Sequence, residues 1–162
     1  MKNSYLMENA VLKAVIGPVD LNTAAVTGNR VSMKGVDKCS FIIHMGASSS
    51  ATAVRFTLRQ HNAASSGTSK DLSVANKYYH KVGAATAFTQ VEPAVAAAAY
   101  DLLSLVGDNA AILVFEVRSE DLDTNNGFAW VSVDSDDSGA AKLCSVIAQV
   151  ETMNNPGYSA VV

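Results

Sequence analysis

The clearest pattern along the chain is alternation. In residues 53–59 the apolar Val54, Phe56 and Leu58 fall on one face, and Arg55, Thr57 and Arg59 on the other. Side chains of an extended chain alternate with a period of two, so this segment predicts a strand buried on one side only. Residues 30–35 repeat the pattern with Val31 and Met33 inward, and Gly35-Val36-Asp37 reads as the turn that follows. Residues 38–45 are a denser apolar run and predict a central strand. Residues 111–117 are β-branched and aromatic, the composition strands prefer. Their continuation ends in Asn126-Gly127, a pair that readily takes positive φ in a tight turn. Residues 128–133 follow, with Phe128 and Trp130 on one face and Ala129, Val131 and Val133 on the other. Together these two runs predict a hairpin with an elaborated loop, and core packing for Trp130. Residues 134–139 read as a polar turn and 142–150 as another apolar strand. Weaker strands are expected at 11–16, 72–79 and 87–91.

Short strands at this spacing, separated by polar turns, argue for an all-β sandwich or barrel. The length of 162 residues fits one domain, 1–162, with a core at about 11–151 and terminal arms at 1–10 and 152–162. The tail Asn154-Asn155-Pro156-Gly157-Tyr158 breaks regular structure and fits an arm that docks on a neighbour or a frayed end. The loop 62–70 is small, polar and expected to be exposed and mobile. Residues 93–106 divide the reading. Four consecutive alanines, Pro93 at the start and Gly107 at the stop favour a helix, while β neighbours on both sides favour an extended chain.

Composition narrows the function. Charged residues make up 17%, against about 25% in a typical soluble domain. Much of the surface is therefore neutral, which suits permanent contacts with other subunits. The net charge is −3 and no Lys/Arg run is present. Neutralising phosphates needs clustered cations, so no direct nucleic-acid binding is expected. No stretch approaches the roughly 18 apolar residues of a membrane span, and the first ten residues do not read as a signal peptide. Cys39 and Cys144 each sit in an apolar run and read as buried small hydrophobes.

The motifs of chemistry are missing. His44, His61 and His80 lie in no metal-ligand spacing, and the serines at 48–50 and 65–66 lack the flanking glycines of a nucleophile elbow. The segment 120–127 places Asp121, Asp123 and Asn125 at alternate positions, as calcium prefers. Asn126 stands where the calcium loop needs Gly, and Ser132 where it needs the bidentate Glu. A capped turn, with Asp side chains bonding backbone N–H groups, is the expected role. No catalytic, cofactor-binding or metal-binding residue is assigned.

Several segments together resemble a family of small virion proteins of tailed bacteriophages. They are Asp20-Leu-Asn-Thr-Ala24, Gly28-Asn-Arg-Val-Ser-Met-Lys34, Phe56-Thr-Leu-Arg-Gln60, Phe88-Thr-Gln90 and Val114-Phe-Glu-Val-Arg-Ser-Glu-Asp-Leu-Asp123, leading to Asn126-Gly-Phe128. The family is similar to capsid decoration, or cement, proteins. The resemblance implies a jelly-roll-like β-sandwich of about eight to ten short antiparallel strands. It implies a non-enzymatic structural protein on the outer surface of the phage head, made in the host bacterial cytoplasm, with no cofactor. The implied partners are the major capsid protein and other copies of the chain, as a dimer or trimer, with no nucleic acid and no membrane. It also tilts residues 93–106 toward strand and loop. Two other readings stay open: another virion component (a tail, head-completion or fibre-anchoring protein), and a carbohydrate-binding module using Tyr78, Tyr79, Tyr100 or Trp130.

Overall fold

The structure is a computed structural model that describes residues 10–48, 54–73, 77–92, 98–101 and 109–152. Its strands are β1 (Val11–Asp20), β2 (Val31–Ser32), β3 (Val36–Met45), β4 (Arg55–His61), β5 (Ser69–Asp71) and β6 (Tyr78–Val82). They continue with β7 (Thr89–Val91), β8 (Ala99–Asp101), β9 (Ala111–Arg118), β10 (Trp130–Ser135) and β11 (Leu143–Thr152). One sheet has the order β1-β11-β3-β9-β6-β7. The other runs β2-β10-β4-β5, with β8 on the same edge of β4 as β5 but further along.

The pairing is nested. The first strand pairs with the last (β1·β11), then β2·β10, β3·β9 and β4·β8, all antiparallel. Ladders β11·β3 and β10·β4 join these pairs into two sheets. A long hairpin folded over itself in this way is a jelly roll, so the chain is an all-β sandwich of that connectivity. Strands β5, β6 and β7 are an insertion between β4 and β8. The hairpin β6·β7 widens the first sheet to six strands by pairing with β9.

Alternation decides what faces inward. Cys39, Phe41, Ile43 and Met45 of β3, Leu113, Phe115 and Val117 of β9, and Val146, Ala148 and Val150 of β11 are fully buried. Opposite them stand Phe56 and Leu58 of β4 and Val131 and Val133 of β10. Each Val, Leu, Ile, Phe or Met among them contributes about 1.5–3 kcal/mol by leaving water. Tyr78 tilts against Phe115 with ring centroids 5.7 Å apart. Gly28 fits where no other residue does, because a Cβ there would run into the Val133 carbonyl and Val15.

Several expectations need correction. β9 and β10 do not form a hairpin; they lie in different sheets. Both edges of β9 are taken by β3 and β6, and both edges of β10 by β2 and β4. The link between them crosses the sandwich through 3-10 turns at Ser119–Asp121 and Thr124–Asn126 and the left-handed Gly127 (φ 79°). Trp130 is half-buried on the outer side, because Val131 and Val133 claim the inward positions. Phe128 precedes the strand and is buried. The first turn is Lys34-Gly35, with Gly35 at φ 69°; Val36 is already in β3, drawn there by its own burial. The 72–79 strand is displaced: Leu72 plugs the core just after β5, and β6 begins at Tyr78. Asp134 and Ser135 continue β10, so the polar turn begins at Asp136. Of the alanine-rich stretch, 99–101 are strand β8, while 93–97 and 102–106 lie outside the described residues. The terminal arms lie outside them too, except that Ala10 is buried and Thr152 ends β11.

Candidate functional site

The outer face of the five-stranded sheet is polar and closed upon itself. β4 points Arg55, Thr57, Arg59 and His61 outward, and β10 points Trp130, Ser132 and Asp134 outward. Register sets Trp130, His61 and Ser69 in one row and Ser132, Arg59 and Asp71 in the next. His61 Nδ1 lies 2.6 Å from Ser69 Oγ and its Nε2 lies 2.9 Å from Ser132 Oγ. Ser132 Oγ is also 3.2 Å from Asp134 Oδ1, which accepts from the Gly28 N–H at 3.1 Å. Arg59 Nε stands 3.4 Å from Asp134 and 3.5 Å from Asp71. Arg30 donates to the carbonyls of Ala63, Ser65 and Ser66 at 2.8, 2.9 and 2.5 Å, so the 62–68 loop, though exposed, is tied down at its centre.

Ser132 beside His61 is the nearest approach to a nucleophile and base. The geometry denies it that role. Ser132 is fully buried, and the second ring nitrogen of His61 meets a serine rather than an orienting carboxylate. Burial, with Arg30 and Arg59 nearby, pushes His61 down to about 4 despite Asp134, so the ring is neutral at pH 7. In that form one nitrogen donates and the other accepts, which suits two flanking hydroxyls. The network is a cross-strand brace.

The acidic segment is likewise consumed locally. Asp121 accepts from the Arg118 N–H at 2.8 Å, the capped turn its spacing predicts. Asp123 accepts from Asn126 at 2.9 and 2.8 Å and pairs with Lys70, whose ammonium lies 4.5 Å from the centre of the Phe128 ring. Lys70 and Asn126 hold the Asp123 carboxyl below its ordinary range. Among the described residues no group of three or more His, Cys, Asp or Glu gathers to hold a metal ion. Cys39 and Cys144 are buried free thiols, each pushed up to about 12 by burial. His44 is exposed, and His80 is half-buried with Nδ1 lacking a partner among the described residues.

The outer face of the six-stranded sheet is different. Register carries one row straight across it: Ala14 opposite Ile147, Ile147 opposite Ile42, Ile42 opposite Val114, and Val114 opposite Tyr79. All five are apolar or aromatic, and all are exposed or half-buried. Leu12 and Ile112 broaden the row on its two sides. Leu12 (40% exposed), Ile147 (43%) and Leu143 (64%) are spread along the β1·β11 side of the sheet. Apolar surface gathered this way is a candidate contact site. Sequence reading found these strands without saying which of their apolar residues face outward. The signal it passed over is the unbroken Ile112-Leu113-Val114-Phe115 run, which must place apolar side chains on both faces of β9.

Among the described residues the sheet edges offer no comparable site. β2, β5, β7 and β8 are two or three residues long. β1 is long, but Lys13 sits opposite the core residue Ala148, and register shifts flank Ile16 before Gly17-Pro18. Short strands, inward-pointing charge, bulges and proline are the devices that protect an edge from pairing. A cleft of about 710 Å³ lies at one end of the six-stranded sheet, lined by Asp37, Lys38, Arg118, Ser119, Glu120, Thr124 and Glu151. Its two cations are paired: Lys38 lies 3.1 Å from Glu116 and 3.4 Å from Glu151, and Arg118 lies 3.3 Å from Glu120. Among the described residues no helix is long and apolar enough to cross a membrane. No family model, no curated protein and no solved structure matches the chain.

Proposed function

We propose that the chain is a virion structural protein of the capsid decoration kind. It binds the outer surface of a phage head, stabilises the major capsid lattice, and works by surface burial. The observation that carries this reading is the apolar row from Ala14 to Tyr79, on a sandwich whose other outer face is internally paired and whose edges are guarded. A lattice component needs permanent protein–protein contact, and a solvent-facing apolar row supplies it. The segments that resemble the decoration family support the same reading through their structural roles. Asp20 receives the Asn22 and Lys142 N–H groups, Gln60 receives the Asp123 N–H, and Asp121 caps its turn. They build a rigid frame for weak contacts that symmetry repeats many times.

The test is the copy number of the chain in purified particles of the virus that encodes it, with cryo-electron microscopy to place it. Hundreds of copies on the outer shell are expected. A few copies at a vertex or tail make it a connector or fibre anchor. Absence from the particle overturns the virion reading and leaves glycan binding, checked on a glycan array, as the next idea.

A further inference from the structure

We infer that the apolar row is covered by a second copy of this chain, the two six-stranded sheets packing face to face about a two-fold axis that lies along the row. This rests on the reading of the row as a permanent protein contact, and names its occupant.

Four features select a second copy. The first is size. Six strands at ~4.8 Å spacing and about eight residues at ~3.3 Å rise give a face of roughly 700 Å². That approaches the ~800 Å² each partner contributes to a standard stable interface. The second is shape. Two sheets of the same twist stack with their strands within about 30° of each other, so a twisted face fits another of its own kind. The third is self-matching. An axis along the row sets Ile147, Ile42, Val114 and Tyr79 each against its own counterpart, as an isologous contact requires.

The fourth is charge. Glu116, whose carboxylate also takes Lys38 of its own chain at 3.1 Å, lies on one flank of the row, two residues along β9 from Val114; Lys81 and His44 lie on the other flank, in register with Ile112. A two-fold along the row exchanges the flanks. Glu116 of each copy then meets the flank that carries Lys81 and His44 of the other, once on each side of the axis. A two-fold parallel to the strands would instead keep each flank on its own side, setting Glu116 toward Ser40 of the second copy and leaving Lys81 with no acid. Ser40, Gln149 and Ser145 complete a polar rim.

The experiment is sedimentation equilibrium on the full chain, with circular dichroism to confirm folding. The wild type is expected as a dimer. Ile147→Asp, at a position already 43% exposed, is expected to stay folded and weaken the dimer at least tenfold. Lys81→Glu is expected to weaken it as well, and adding Glu116→Lys is expected to restore it; this pair decides the matter if Ile147→Asp fails to fold. A wild type that is monomeric at about 0.1 mM, where any Kd tighter than this would show, overturns the inference. So does a dimer unchanged by Ile147→Asp or Lys81→Glu. A monomer still present in hundreds of copies on the head overturns the self-pairing alone. A dimer missing from the particle overturns the decoration reading alone.

Discussion

On β4 and β10 the positions that point away from the core carry one aromatic, Trp130, and the polar Arg55, Thr57, Arg59, His61, Ser132 and Asp134. On β3, β9 and β11 the equivalent positions include Ile42, Ile112, Val114 and Ile147. Both faces arise from the same alternation, and they meet solvent in opposite ways. A polar side chain can be satisfied by a neighbour or by water, and on the first face neighbours do it: His61 has two serines, Arg59 two carboxylates, Arg30 three carbonyls. An apolar side chain is relieved only by burial, at about 25 cal/mol per Å² removed from water. The first face is thus finished within one chain. The second is left facing water.

The largest effect that would break this contrast is on the polar side. His61→Ala removes a ring that is 2% exposed and leaves the buried hydroxyl of Ser132, and that of Ser69, without it. The cavity and the two lost hydrogen bonds together are expected to cost about 3–5 kcal/mol in urea unfolding. A loss below about 1 kcal/mol would mean that the brace contributes little. Acid gives the next largest effect. The folded ring takes its proton near pH 4, the unfolded ring near its ordinary 6.5. The unfolded chain therefore binds the proton first. Stability is full above pH 6.5, falls as the pH drops towards 4, and is flat with respect to this group below that. The total is about 3 kcal/mol at roughly 1.4 kcal/mol per unit. Carboxylates also lose stability on acidification, so the diagnostic is the difference from His61→Gln, which keeps an amide between the serines and should lack this component. Parallel curves for the two chains would remove His61 from the account.

The strands were legible because burial follows the period of two: Val54, Phe56 and Leu58 are buried as their spacing predicts. Jelly-roll connectivity came into view only through the resemblance, since alternation does not say which edge meets which. The β9–β10 hairpin failed for this reason. An Asn-Gly turn between two apolar runs fits a hairpin, and it fits equally a crossing between sheets when both edges of each strand are spoken for. The polar brace was illegible because His61 and Ser132 are far apart in sequence and meet only through the β4·β10 register. The apolar row was not legible because its members are scattered over five strands, and only register reveals that they line up on the outside.

A smaller effect sharpens the contrast. Arg59→Ala removes two ion pairs at a side chain 42% exposed, and exposed pairs are weak. About 1 kcal/mol is expected, largely erased in 1 M salt, where the Debye length shrinks to about 3 Å. A salt-independent loss of 3 kcal/mol would show that Arg59 acts through packing instead.

The smallest expected effect is the most informative. Ile147→Ser, measured in protein dilute enough to be monomeric, should change stability by no more than about 0.5 kcal/mol, or roughly 2 °C in Tm. The side chain is 43% exposed, so its truncation gives up little burial, and the strand ladder through Ile42 and Ala14 is made by backbone that serine leaves intact. The same substitution in concentrated protein should lower Tm by more, because there the wild type gains from covering the row and the variant does not. A fall of 2 kcal/mol or more already in dilute protein would mean that Ile147 is covered by its own chain. The face would then be closed in the monomer, the difference between the two faces would vanish, and the row would be core after all.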